Sequence, residues 1–148
     1  MPLPLPVRTP RAPFDADGHA ARLIVLIRHD FPDMLPQVLS DIWMRGRDAA
    51  LAVITTLATP TALYYTQVGE RPPLEYWFEP GTAERFAYGY VGAVAEGDAR
   101  ECALLLEDFS RAGEDEVRRA MILMATSAAQ SMDIMDRIAG VEAAIGAF

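Results

Sequence analysis

Residues 113–140 have the sequence GEDEVRRAMILMATSAAQSMDIMDRIAG, and this stretch decides the fold class. Three acids at its start suit the positive end of a helix dipole, and Gly140 at its end is a residue type that commonly stops helices. Between them, apolar residues recur at steps of three and four, which places them on one helix face: Val117, Met121, Met124, Ala128, Met132 and Met135. We therefore predict one long helix over 113–140, with the other helices packed against its apolar face.

The residues before this helix predict two more helices with short connections. Thr82 and Asp98 are suitable N-caps, each followed by an apolar stripe, and Gly97 separates the two segments. The chain from 82 to 140 is therefore expected to form three consecutive helices.

The first half of the chain has the same character, with one ambiguous segment. Helices are predicted to begin near Asp15 or Asp17, near Asp30 or Asp33, and at Asp48, and the last of them should end before Pro60. Residues 22–28 are apolar and β-branched enough to form either a helix or a buried strand, and a helix is favoured.

Two segments differ from this helical pattern. Residues 1–13 contain five prolines and are expected to form a flexible tail. Residues 61–81 hold two aromatic runs around a Gly-Glu-Arg-Pro-Pro cluster, which suggests a short β-hairpin, a loop or a pocket lid. The sequence thus predicts an all-α (mostly α) single domain over 14–148, a bundle of five or six helices with an aromatic hairpin or loop at 61–81.

The overall charge restricts the class of partner. The net charge is −8, which argues against direct binding to nucleic-acid phosphates. Residues 49–69 carry no charge, but Pro60 and five threonines make them a poor membrane span, so no membrane contact is expected. With one cysteine and no recognisable signal peptide, a cytoplasmic location is predicted.

Few residues are available for catalysis or cofactor binding. All thirteen basic residues are arginine, which excludes a P-loop lysine and pyridoxal-phosphate chemistry. Two histidines and Cys102 are too few for a typical zinc site, and Cys102 falls on the apolar stripe of its predicted helix. We therefore expect no catalytic residues, no cofactor and no metal, and favour a protein that is not an enzyme.

Three hypotheses for function remain, and the leading one is protein–protein contact. Methionines adapt to irregular surfaces, so the end of the long helix is a candidate contact with a protein partner or a second copy in a homodimer, through Met132, Asp133, Met135 and Asp136. The second hypothesis is a pocket for a small aromatic or apolar ligand roofed by residues 61–81, with Tyr64, Tyr65, Tyr76 and Trp77 as its lining. The third is an acidic inhibitor in which the eight acids of residues 96–116 imitate nucleic-acid phosphates.

Overall fold

The described part of the chain consists of helices and their connections. A computed structural model describes residues 13–69 and 78–146, and within them it contains six α-helices, one 3-10 helix and no strand. The all-α prediction is therefore confirmed. The helices are α1 (Ala16–Arg28), a 3-10 turn (Pro32–Met34), α2 (Leu35–Met44), α3 (Arg47–Val68), α4 (Ala83–Glu96), α5 (Ala99–Phe109) and α6 (Glu114–Gly146).

Polar side chains start three of these helices as the sequence predicts. Asp15 accepts a hydrogen bond from the Gly18 amide at 2.9 Å. Thr82 and Asp98 accept from the amides three residues further on, at 3.2 and 3.0 Å. Each bond satisfies an amide that has no partner within its own helix, so these caps define where α1, α4 and α5 begin. Residues 22–28 lie inside α1, so the helical alternative for this segment is correct.

The core forms around the first half of α6. Its buried residues contact α3 most extensively, then α1 and α4, and they include Val117, Ala120, Met121, Met124, Ala125 and Ala128. α5 packs against α4, where the rings of Phe86 and Phe109 stack with centroids 4.1 Å apart. The expected packing of other helices against the apolar face is therefore observed over this half of α6.

The prediction of a helix ending before Pro60 and a hairpin arm after it is wrong. α3 begins at Arg47, after Gly46 rather than at Asp48, and continues through Pro60 to Val68. Proline inside a helix removes one hydrogen bond and costs about 3 kcal/mol. Here the helix is buried on both sides of the proline by contacts with α4 and α6, which offset that cost: Leu57, Ala58, Thr61 and Ala62 are all buried. The predicted second arm covers 74–78 and the predicted Pro-rich tail covers 1–13; all of these residues except Phe78 and Pro13 lie outside the described residues.

The predicted end of the long helix is also wrong. Gly140 lies inside α6, which continues to Gly146. Helix-terminating glycines adopt a positive φ, as Gly69 and Gly97 do at the ends of α3 and α4, but Gly140 does not. Because Ala139, Ala143 and Ala144 favour helix strongly, the chain continues past this glycine.

Candidate partner-contact surface on the C-terminal half of α6

α6 leaves the bundle after Ser131, the last of its buried residues. From 134 to 146, every residue except the half-buried Met135 is exposed. A helix of 33 residues is about 50 Å long, so its final third extends beyond the helices that cover its first half. This projecting part begins at the position where the sequence analysis placed its candidate partner contact.

The two predicted methionines line a groove, together with Asp136 and Asp17. Met132 and Met135 are half-buried and face α3 across an open groove of about 670 Å3, next to Pro60 and the exposed Leu63. Three threonines of α3 form the polar side of this groove: Thr55, Thr56 and Thr59. The groove is therefore mostly apolar, with hydroxyl groups along one side.

The other two predicted contact residues are used within the chain. Asp133 and Asp136 both bind the guanidinium of Arg28 at the end of α1, with N–O distances of 2.8 and 2.9 Å. The hydrogen bond with Asp136 is the main cause that raises the pKa of Arg28 above its usual value. These two carboxylates thus anchor α6 to α1.

Sequence reasoning missed a second apolar stripe on α6. Four β-branched residues lie on the exposed side of the helix, spaced by four, three and four positions. They are Ile134 (37% exposed), Ile138 (41%), Val141 (59%) and Ile145 (67%). We call these four residues the exposed stripe. Its spacing was visible in the sequence, but the predicted stop at Gly140 removed its second half from the helix.

The predicted aromatic pocket is not assembled in the described residues. Tyr64 and Tyr65 are neighbours on α3, half-buried, with ring centroids 5.4 Å apart, while Tyr76 and Trp77 lie outside the described residues. A cavity next to Tyr65 has a volume of about 30 Å3, which is too small for an aromatic ligand. The two described tyrosines therefore belong to a helix surface rather than to a hairpin or a lid.

Several acids of residues 96–116 have structural roles. Asp98 caps α5, and Glu114 binds Arg118 at 2.8 Å. Glu116 accepts a hydrogen bond from the Ala83 amide at 2.8 Å, so this residue of α6 helps to cap α4. These carboxylates are engaged at three different helix starts, which is not the single exposed face that imitation of nucleic-acid phosphates requires.

The described residues offer little for catalysis. Cys102 is half-buried on α5, and burial, followed by the charge of Asp98, raises the pKa of its thiol. In 13–69 and 78–146, no three histidine, cysteine or acidic side chains converge on a possible metal position. No helix in the same ranges is long and apolar enough to cross a membrane.

Comparison with known proteins gives no relative from which a role could be transferred. No protein-family model matches the chain, and neither a curated protein nor a solved structure is significantly similar to it. The site is therefore interpreted from its own geometry.

Proposed function

We propose that this protein is a non-catalytic helical module that acts through protein–protein contact, and that it forms a homodimer through the projecting end of α6. The observation that supports this most is the exposed stripe, an apolar row on a helix segment with no packing partner in the described chain. Contiguous apolar rows on a soluble surface are typical of protein interfaces.

The size of the stripe indicates a weak, concentration-dependent interface. Burying the exposed part of each of its four side chains contributes on the order of 1 kcal/mol, or about 8 kcal/mol for two copies. Association costs at least about 4 kcal/mol in lost translational and rotational freedom. The exposed stripe alone therefore leaves at most about 4 kcal/mol, which corresponds to a roughly millimolar Kd. Additional burial of Met135 and Leu63 beside the groove would strengthen it.

The two other hypotheses have less support. The described tyrosines do not form a pocket of useful size, and the acids of 96–116 are distributed over several helix starts. Protein contact is also consistent with the raised pKa and partial burial of the only thiol, Cys102, which disfavour a nucleophilic role.

Light scattering coupled to size-exclusion chromatography tests this function. From roughly 50 μM to 2 mM, a span that reaches a millimolar Kd, the mass of the full chain should rise from 16.2 kDa towards twice that value. The variant Ile138→Asp places a charge in the middle of the exposed stripe and should stay at the monomer mass. Leu104→Asp is the matched control, because Leu104 is similarly exposed but lies on α5. A wild-type mass of 16.2 kDa across the whole range would contradict self-association.

A further inference from the structure

We propose that the projecting ends of α6 from two copies pair in parallel and in register, as a short two-stranded coiled coil. This inference rests on the proposed self-association and adds the orientation, the register and the residues that set them. The region concerned is residues 134–145, and the interface is the exposed stripe together with the two charged residues that flank it, Arg137 and Glu142.

The spacing of the exposed stripe is that of a heptad repeat. Coiled coils place apolar residues alternately three and four positions apart, at the positions named a and d. Steps of four, three and four assign Ile134 and Val141 to d, and Ile138 and Ile145 to a. Four successive apolar layers can therefore pack across an axis between two identical helices. Because β-branched residues at d also suit three strands, the wild-type mass decides between two copies and three.

Charge complementarity selects the parallel orientation. In the same register Arg137 occupies position g and Glu142 occupies position e, on the two sides of the stripe. In a parallel pair, a residue at g faces the e residue five positions further along the second helix. Arg137 of one copy would then face Glu142 of the other, and the pair would form twice. An antiparallel pair that overlaps all four layers would instead place Arg137 opposite Ala144 and Glu142 opposite Met135, so it would gain no charge pair.

Both charged residues are available for such a pair. Arg137 and Glu142 are exposed, and no ion pair or hydrogen bond of either side chain is present within residues 13–69 and 78–146. This differs from Asp133 and Asp136, whose carboxylates are bound to Arg28. The charges next to the exposed stripe are thus free for contact with a second copy, while those on the far side are used to hold α1.

The rest of the bundle leaves this side of α6 open. Asp136 follows Ile134 by two positions, or about 200° around the helix, so α1 binds the side opposite the exposed stripe. The groove with α3 lies beside Met132 and Met135, between these two sides. A second helix can therefore lie along the exposed stripe without displacing α1 or α3.

Anchoring also makes a short coiled coil feasible. Two heptads alone would not form a stable helix in water, because helix initiation is unfavourable. Here residues 134–145 continue a helix whose first half is fixed in the core, so much of the ordering cost is already met. Pairing needs only to suppress fraying at the end of α6.

Charge reversal tests the orientation. Arg137→Glu and Glu142→Arg should each weaken self-association by about tenfold, because two attractive pairs become two repulsive ones. An equal mixture of the two variants should recover wild-type affinity, and so should the double variant R137E/E142R. In an antiparallel pair neither residue faces a charge, so the single variants, their mixture and the double variant should all associate about as tightly as wild type. That pattern would overturn the proposal while leaving self-association intact.

Disulfide trapping tests the register independently. In a Cys102→Ala background, Ile134→Cys and Val141→Cys are made separately, and circular dichroism confirms that each variant is folded. A parallel pair in register brings each of these d positions next to its own copy, so both variants should form disulfide-linked dimers on oxidation. An antiparallel pair can bring only one of these positions next to its own copy. The two copies of the other position are then about 21 Å apart along the helices, which is beyond disulfide reach. Cross-linking of only one variant, or a mass of three chains for the wild type, would overturn the two-stranded parallel assignment. A wild-type protein that stays monomeric would overturn the proposed function as well.

Discussion

The two halves of α6 have similar apolar content and different environments. In residues 117–129 the apolar face is broad and is covered by α1, α3 and α4. In residues 134–146 it narrows to the exposed stripe, and no helix within 13–69 and 78–146 covers that stripe. A broad apolar face can be enclosed by several helices, whereas a narrow row of apolar residues at heptad positions a and d fits a single partner helix.

The largest expected difference between the halves is in stability. Met121→Ala removes a fully buried side chain and should lower the free energy of unfolding by about 2–5 kcal/mol, because it leaves a cavity in the core. Ile138→Ala, on the exposed half, should change it by less than about 0.5 kcal/mol in dilute protein. Urea unfolding monitored by circular dichroism measures both. Equal losses would show that the two halves are packed alike.

A smaller effect is expected where the buried half of α6 meets α4. Glu116→Ala removes the carboxylate that accepts from the Ala83 amide and also binds Arg119, and it should cost about 1 kcal/mol. Asp115→Ala is the matched control, since the neighbouring acid is exposed and should change stability by less than about 0.5 kcal/mol. The same unfolding experiment distinguishes them. If both substitutions had equal effects, the cap of α4 would not depend on α6.

The sequence predicted much of this fold because most signals were local. N-caps and apolar periodicity placed α1, α4, α5 and the start of α6 correctly. The errors arose at two helix-breaking residues, Pro60 and Gly140, that lie inside helices. Proline and glycine act locally, but their cost can be offset by tertiary packing or by strong helix formers nearby, which single residues do not reveal.

The candidate contact stays a prediction, and the sequence did not reveal the structural details of its surroundings. The sequence located it near Met132 and Met135, and the structure places both beside a groove with α3. The pairing of Asp133 and Asp136 with Arg28 could not be foreseen, because it joins residues more than 100 positions apart. The exposed stripe depended on knowing that α6 continues past Gly140.

Gly140→Ala should stabilise the exposed half of α6, whereas the substitutions above destabilise the buried half. A Cβ at this position meets no atom within 4 Å, and alanine is favoured over glycine inside a helix by roughly 1 kcal/mol. The variant should increase helicity at low concentration and tighten self-association by severalfold, since less fraying has to be suppressed on pairing. Circular dichroism and sedimentation equilibrium measure the two effects. Weaker self-association would contradict the proposed register, which places Gly140 at position c, facing away from the second helix.

The smallest expected effect concerns thiol reactivity. Burial raises the pKa of Cys102, so at neutral pH less of it is thiolate and it should react with iodoacetamide several-fold more slowly than an unstructured thiol. Ile145→Cys in a Cys102→Ala background, studied in dilute protein, should react at close to the unstructured rate. The difference between the two reaction rates should become smaller as the pH is raised through the pKa of Cys102, because both thiols then ionise. Equal rates at pH 7 would show that the two positions are equally accessible.

Hydrogen exchange at two protein concentrations tests the central claim most directly. Amides in 117–129 are buried in the core, and their protection should be high and independent of concentration. Amides in 138–146 should exchange rapidly in dilute protein, where the end of α6 frays, and become protected as concentration rises and two copies pair. Mass spectrometry of peptides from each half measures both in one sample. Protection of 138–146 that does not change with concentration would contradict self-association through the end of α6.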